Sequence, residues 1–155
     1  PERTMIDKVM TIADNYLNVL QEPNNSKYTA RSRDLYDIIK ISDYLNNTNY
    51  DWTNFSKLIN EVRRERYKGD QKTALSASPQ YNIGNLVLSA LKENYREIER
   101  DYNKHTLGLL SRNDNNIEFK SLVAGVVSTI QNPNWQALWQ TTQQIPHQQK
   151  KPRER

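Results

Sequence analysis

The stretch DWTNFSKLINEVRRERYKGDQK, residues 51–72, decides the fold. It opens on Asp51, whose carboxylate is suited to accept a hydrogen bond from a free amide at a helix start. Trp52, Phe55, Leu58, Ile59 and Val62 follow at helical spacing, so the segment reads as an amphipathic helix anchored by two aromatics. Arg63, Arg64, Arg66 and Lys68 then crowd its last turns before Gly69. Cations there favour the negative end of the helix dipole by about 0.3 to 1 kcal/mol each. Four within six positions exceed what capping requires and repel one another, which points to a polyanionic partner.

Upstream, Ile6, Val9, Met10, Ala13, Leu17 and Leu20 recur at spacings of three and four, the mark of a helix with one buried stripe. Pro23, Asn24, Asn25 and Ser26 end it, since Pro cannot continue a helix and Asn and Ser compete for the backbone in turns. A second helix is predicted over about 29–45, with Leu35, Ile38, Ile39, Ser42 and Leu45 inward and Thr29 as its cap. Arg31 and Arg33 fall in its first turn, where the dipole favours anions; a phosphate there would relieve them.

Downstream, residues 69–81 read as a loop, and Asn82 caps a long helix reaching about residue 110. Such a helix of 28 residues would span roughly 42 Å. Lys92, Arg96, Arg100 and Lys104 line one side of it, and Glu93 with Arg96, Glu97 with Arg100 and Asp101 with Lys104 are three apart, so this face is expected to neutralise itself. Residues 117–131 are the most apolar segment, predicted to be the central helix, with Ala124 and Gly125 admitting a close neighbour. Asn134 is expected to cap a short last helix carrying Trp135, Leu138, Trp139, Thr142 and Ile145, the two Trp serving either as a lid on the core or as a subunit interface.

The expected fold class is therefore all-α: a helical bundle of about five to six helices with basic extended segments and a basic C-terminal tail. One domain over 1–145 is expected, in which residues 1–72 form a candidate DNA-wrapping arm and 82–145 the bundle, followed by the tail 146–155. The 155 residues are enough for one real core. With 35% hydrophobic residues and a mean hydropathy of -0.94, that core must be thin.

The net charge of +4 is unevenly placed. Residues 57–72 hold six cations (Lys57, Arg63, Arg64, Arg66, Lys68, Lys72) against three acids. The tail PHQQKKPRER holds four (Lys150, Lys151, Arg153, Arg155) against one, and the rest of the chain sums to -2. Two short segments thus carry the whole excess, an argument about partners rather than fold.

Chemistry-bearing motifs are sparse. There is no Cys, and the two His lie far apart, so neither a disulfide framework nor a metal site is expected. Four Gly occur outside any phosphate-cradling pattern, and no GxSxG is present, so no cofactor and no enzymatic role are expected. Tyr67 beside Arg66 lacks the His or Lys constellation that a DNA-attacking Tyr would need. No apolar run approaches the roughly 18 residues of a spanning helix, so no membrane insertion is expected. Pro1 in place of Met fits either removal of an initiator Met or cleavage from a longer precursor.

In overall profile the chain resembles the coat proteins of filamentous archaeal double-stranded DNA viruses: small, free of Cys, rich in Asn and Gln, with an apolar C-terminal bundle and basic helical segments. The resemblance implies a capsid subunit that wraps double-stranded DNA as a dimer with itself or a related coat protein, located in the virion. It matches no motif residue by residue, and the basic run stands mid-chain rather than at the N-terminus. A cytoplasmic, non-viral DNA-binding accessory protein is the alternative, as is an interaction scaffold that meets an acidic partner through Trp135 and Trp139. The candidate nucleic-acid contacts are Arg31, Arg33, Lys57, Arg63, Arg64, Arg66, Lys68, Lys72, Lys150, Lys151, Arg153 and Arg155. Reversing Arg63, Arg64 and Arg66 to Glu is expected to weaken DNA binding without loss of helix.

Overall fold

The computed structural model describes residues 1–24, 28, 29, 31–69, 73–111 and 117–141. Among them the chain is all-helical, without strands: α1 (Glu2–Gln21), α2 (Ser32–Asn47), α3 (Phe55–Gly69), α4 (Ile83–Glu93), α5 (Tyr95–Asp101), α6 (Leu107–Ser111) and α7 (Phe119–Gln131). Short 3-10 segments at Trp52–Asn54, Leu75–Ala77 and Pro133–Trp139 supplement them.

The centre is α1, not residues 117–131 as their apolar composition implied. Its buried stripe widens beyond the predicted one to take in Met5, Ile12, Asp14 and Tyr16, while Leu20 is exposed. It packs against α2, α3 and α4 together, and α7 joins α2 to α4 from outside. α7 buries only Phe119, Leu122, Val126 and Ile130. Side chains of α1, α2 and α3 share one apolar cluster with those of α4 and α7. Among the described residues the three N-terminal helices, read from sequence as a candidate arm, share one core with α4 and α7.

Two glycines set how closely helices approach. A Cβ at Gly84 of α4 would overlap the Trp139 ring, and one at Gly125 of α7 would lie 2.7 Å from Ile39 Cδ1 of α2. The close approach expected at Gly125 is real.

The turn that aims α3 is made locally. Asn49 takes a positive φ of 55°, and Tyr50 N–H returns 3.1 Å to the Leu45 carbonyl, the bond that closes a Schellman-type helix end. Asp51 then accepts from Thr53 N at 3.0 Å and from the Thr53 hydroxyl at 2.6 Å. The expected cap is in place, one 3-10 turn ahead of α3.

The predicted helix over 82–110 is broken. α4 ends at Asn94, whose side chain bonds back to the Ala90 carbonyl, and Tyr102–Thr106 is π-wound between α5 and α6. The cap of α2 is likewise not Thr29. Asp101 of α5 accepts from Ser32 N at 2.9 Å and from Ser32 Oγ at 2.5 Å, so the anion at this helix start is the protein's own. The last helical segment is 3-10 and is capped by Asn132, which accepts from Asn134 N, with Pro133 at its first position. Thr142 and Ile145, assigned to it from the sequence, lie outside the described residues.

The glycine packing and the Asp51 cap can each be tested by substitution. Gly84→Ala should cost about 1 to 3 kcal/mol in denaturant unfolding through overpacking against Trp139, whereas Gly108→Ala in α6, with open space at its Cβ, should stabilise by about 0.5 to 1 kcal/mol. The Asp51 carboxyl is held below its ordinary 3.8 by the Thr53 hydroxyl and then the Thr53 amide. A lowered acid contributes stability above its ordinary pKa and loses it as pH falls through the folded value. Asp51→Ala should thus be less stable than the parent at neutral pH, with the gap in melting temperature closing only below about pH 3.8.

Candidate nucleic-acid interface

α3 carries cations on two opposite faces, and their fates differ. With 3.6 residues per turn, Arg63 and Arg66 fall on the side of Ile59 and Val62, while Lys57, Arg64 and Lys68, spaced by seven and four, share the outer side.

Arg63 is buried at 3% exposure and meets no carboxylate among the described residues. Its Nε donates to Ala77 O at 3.1 Å, one Nη to Gln140 O at 2.9 Å, and the other to Ser78 O at 2.7 Å and Tyr81 O at 2.6 Å. Ala77 and Gln140 close the two 3-10 segments 75–77 and 133–139, so the guanidinium gathers their carbonyl ends. Burial pulls its pKa down to about 10, which leaves it cationic at neutral pH. Arg63 is thus a structural cross-link and not a phosphate contact.

Arg66 is also turned inward. It pairs with Asp14 and, at 3.2 Å, with Asp7, both on α1, although its Nε is left without a partner. Asp14 is buried and further accepts from Ser76 N at 2.8 Å and Ser76 Oγ at 2.5 Å. This charge is already matched, so Arg66 is corrected from nucleic-acid contact to core ion pair.

Lys57, Arg64 and Lys68 are exposed, and none has an ion-pair partner among the described residues. They run about 16 Å along α3. Glu61 shares this side, and Glu65 beside it is engaged by Arg3. Tyr67, 37% exposed, flanks the row.

Of the other expected contacts, Arg31 is exposed but bonded through Nε to Asp34 at 3.0 Å, and Arg33 is exposed without an ion pair among the described residues. Asp34 is buried and also takes Lys8 Nζ at 2.9 Å; Lys8 reaches Asp37 at 3.1 Å. Burial alone pulls the Lys8 pKa down, but bonds and charges from Asp34 and Asp37 outweigh it and the pKa rises. Asp101 already occupies the Ser32 amide at the α2 start, the end of the helix at which a phosphate was expected near Arg31 and Arg33. Lys72, Lys150, Lys151, Arg153 and Arg155 lie outside the described residues.

The self-paired face expected on residues 92–104 is not formed by contact. Lys92, Arg96, Arg100 and Lys104 are exposed without ion pairs among the described residues, because Asp101 turns to Ser32 and Glu93 accepts from Tyr16 Oη at 2.6 Å. Four acids still accompany these four bases, so the region has no net charge.

The Trp pair belongs to the core side of its alternatives. Trp135 is 1% exposed and packs edge-on against Phe55 at 4.8 Å between ring centroids, so it cannot be a subunit contact. Trp139 is half-buried, covers Gly84 and donates through Nε1 to Ile130 O at 2.7 Å. No group of three or more His, Asp or Glu among the described residues is placed to hold a metal, and no helix there is long and apolar enough to cross a membrane.

The signal for the inward arginines was in the spacing: Ile59 to Arg63 is four residues and Val62 to Arg66 is four, so both continue the apolar stripe. The triple reversal at 63, 64 and 66 should therefore unfold the chain, contrary to the sequence-based expectation. Arg63→Lys, which cannot reproduce a planar five-donor fork, should lower stability by about 1 to 3 kcal/mol for a buried carbonyl left unmet, such as that of Ala77. Arg64→Glu should shift the thermal midpoint hardly at all.

No family model matches the chain, and no curated protein or solved structure matches it.

Proposed function

We propose that the chain binds double-stranded nucleic acid without reading its sequence, through Lys57, Arg64 and Lys68 on the outer side of α3. The observation that carries this reading is their alignment on one solvent face with no acidic partner among the described residues, while the neighbouring Arg63 and Arg66 are held by the fold. Cations facing phosphates give affinity that falls steeply with salt and carries no base information.

The last described residues are held against α3. Gln140, next to the last described residue, is tied through Arg63 to α3 one position from Arg64.

On this reading the protein is a structural nucleoprotein subunit, and the filamentous-virus coat is one form it can take. A second reading, a discrete DNA-binding accessory protein, is favoured by the placement of α1 to α3 in the same core as α4 and α7, which leaves no separate wrapping arm.

The test is a titration of random double-stranded DNA at several salt concentrations, with negative-stain microscopy of the mixture. The parent chain should bind at low salt. Lys57→Glu, Arg64→Glu and Lys68→Glu together should weaken binding to all sequences alike and flatten the log-log salt slope by roughly 0.9 for each phosphate no longer neutralised, with unchanged melting temperature. Absence of binding by the parent at low salt sinks the proposal. Filaments would select the coat form, and discrete complexes the accessory form.

A further inference from the structure

Helices α2 and α7 leave a cleft of about 290 Å³ between them, closed at one end by Trp52 and the start of the 133–139 segment. This is near the lower limit of small-molecule sites, about 300 Å³. Its lining is unlike the basic row on α3. Ser42, Asp43 and Asn46 come from α2, Ser128 from α7 and Asn134 from the last segment, and none of their side chains has a hydrogen-bond partner among the described residues. Ser42 is the sharpest case: it is only 8% exposed, yet its hydroxyl is not turned back onto its own helix. Its hydroxyl opens to the cleft, where a ligand group can replace water as its partner.

The aromatic wall is held stiffly. Trp52 makes T-shaped contacts with Tyr50 at 4.9 Å and Phe55 at 4.8 Å between ring centroids, is half-buried and lines the cleft. An indole face carries a negative quadrupole that attracts the polarised C–H bonds of a flat aliphatic ring.

No Lys or Arg among the described residues lines the cleft, and Asp43 is the one charged group there. An anion is therefore disfavoured, which separates this site from the α3 row and from any phosphate. A lone exposed carboxylate beside one indole is likewise far from the aromatic cage that quaternary ammonium ions take. What the set matches is a neutral ring with one apolar face and a rim of hydroxyls, each able to donate and accept. Amides, hydroxyls and a carboxylate supply both senses of hydrogen bond. We propose that this cleft binds a neutral cyclic saccharide unit, with the ring against Trp52 and its hydroxyls bonded by Ser42, Asp43, Asn46, Ser128 and Asn134.

The proposal stands apart from nucleic-acid binding, and its test does not depend on it. The full chain, labelled for backbone amide NMR, is titrated with glucose, galactose, mannose and N-acetylglucosamine, and in parallel with sorbitol, adenosine, tetramethylammonium and inorganic phosphate. At least one cyclic sugar should give saturable shifts centred on α2 residues 42–46 and on Ser128 and Asn134. Asp43→Ala and Asn46→Ala, which remove exposed side chains without partners among the described residues, should keep the melting temperature and weaken binding about tenfold each, the worth of one well-formed hydrogen bond. Ser128→Trp should block the cleft and abolish the shifts, while Arg64→Glu should leave them unchanged. Absence of saturable shifts with all four sugars overturns the proposal. So do sugar shifts indifferent to the Asp43 and Asn46 variants, and so does an equal response to sorbitol, adenosine, tetramethylammonium or phosphate.

Discussion

The guanidinium of Arg63 is the point through which the second half of the chain is tied to the first. It is buried, it faces no carboxylate among the described residues, and four of its N–H bonds end on carbonyls at 77, 78, 81 and 140. Those carbonyls lie on the loop leaving α3 and at the end of the last 3-10 segment, where backbone acceptors otherwise have no helical partner. Only a planar fork with five donors can meet so many acceptors from one side chain. The cost of desolvating the charge is real, as its lowered pKa records. It is offset by the four bonds together, above all the buried one to Ala77 O.

The same logic recurs wherever the apolar core is thin. Asp14 on α1 collects Arg66 and both donors of Ser76, and Asp101 on α5 collects the amide and hydroxyl of Ser32, which in turn lies 2.7 Å from the Thr106 hydroxyl. Each network joins elements distant in sequence. Each also removes a charge from the surface, so the external charge pattern is what the internal networks leave behind. That is why Lys57, Arg64 and Lys68 stand out on α3 although Arg63 and Arg66 dominate its formula.

The all-α class, the Asp51 cap, the break before α2 and the apolar stripes were legible because they depend on neighbours three and four residues away. Asn49, Tyr50 and Asp51 set the entry to α3 by local bonds alone. What could not be read depends on distant partners. Nothing in the local sequence says that Asp101 will cap a helix starting 69 residues earlier, or that Asn94 and the π-wound turn will break a helix whose stripe continues through both. Arg63 and Arg66 are an intermediate case: their register marks them as inward, while their charge suggests the opposite. For a basic helix, register should be read before composition. Of the candidate site, Lys57, Arg64, Lys68 and Arg33 keep the exposed placement that a phosphate contact requires, and the cleft beside Trp52 had no linear signature because α2 and α7 are far apart in the chain.

On the proposed nucleic-acid-binding function, the core limits the modes of assembly. α1 buries Met5, Ile6, Val9, Met10, Ile12, Ala13, Tyr16 and Leu17 against three other helices. At roughly 1.5 to 3 kcal/mol for each large apolar side chain, swinging α1 out as a wrapping arm would cost more than the whole stability of an ordinary domain, about 5 to 15 kcal/mol. A few phosphate contacts on one face of α3 do not offset that while the bundle stays a monomer. Two routes remain open to a nucleoprotein filament. Intact bundles can line the duplex, each presenting its α3 row, or α1 can exchange between copies so that a neighbour restores the packing it leaves. The first keeps the Asp14–Arg66 and Arg63 links within one chain, whereas exchange of α1 alone would place Asp14 and Arg66 on different chains while Arg63 stayed with its own carbonyls. On the proposed function, whole bundles lining the duplex would keep every buried polar link within one chain, whereas exchange of α1 would have to re-form the Asp14–Arg66 pair between two chains.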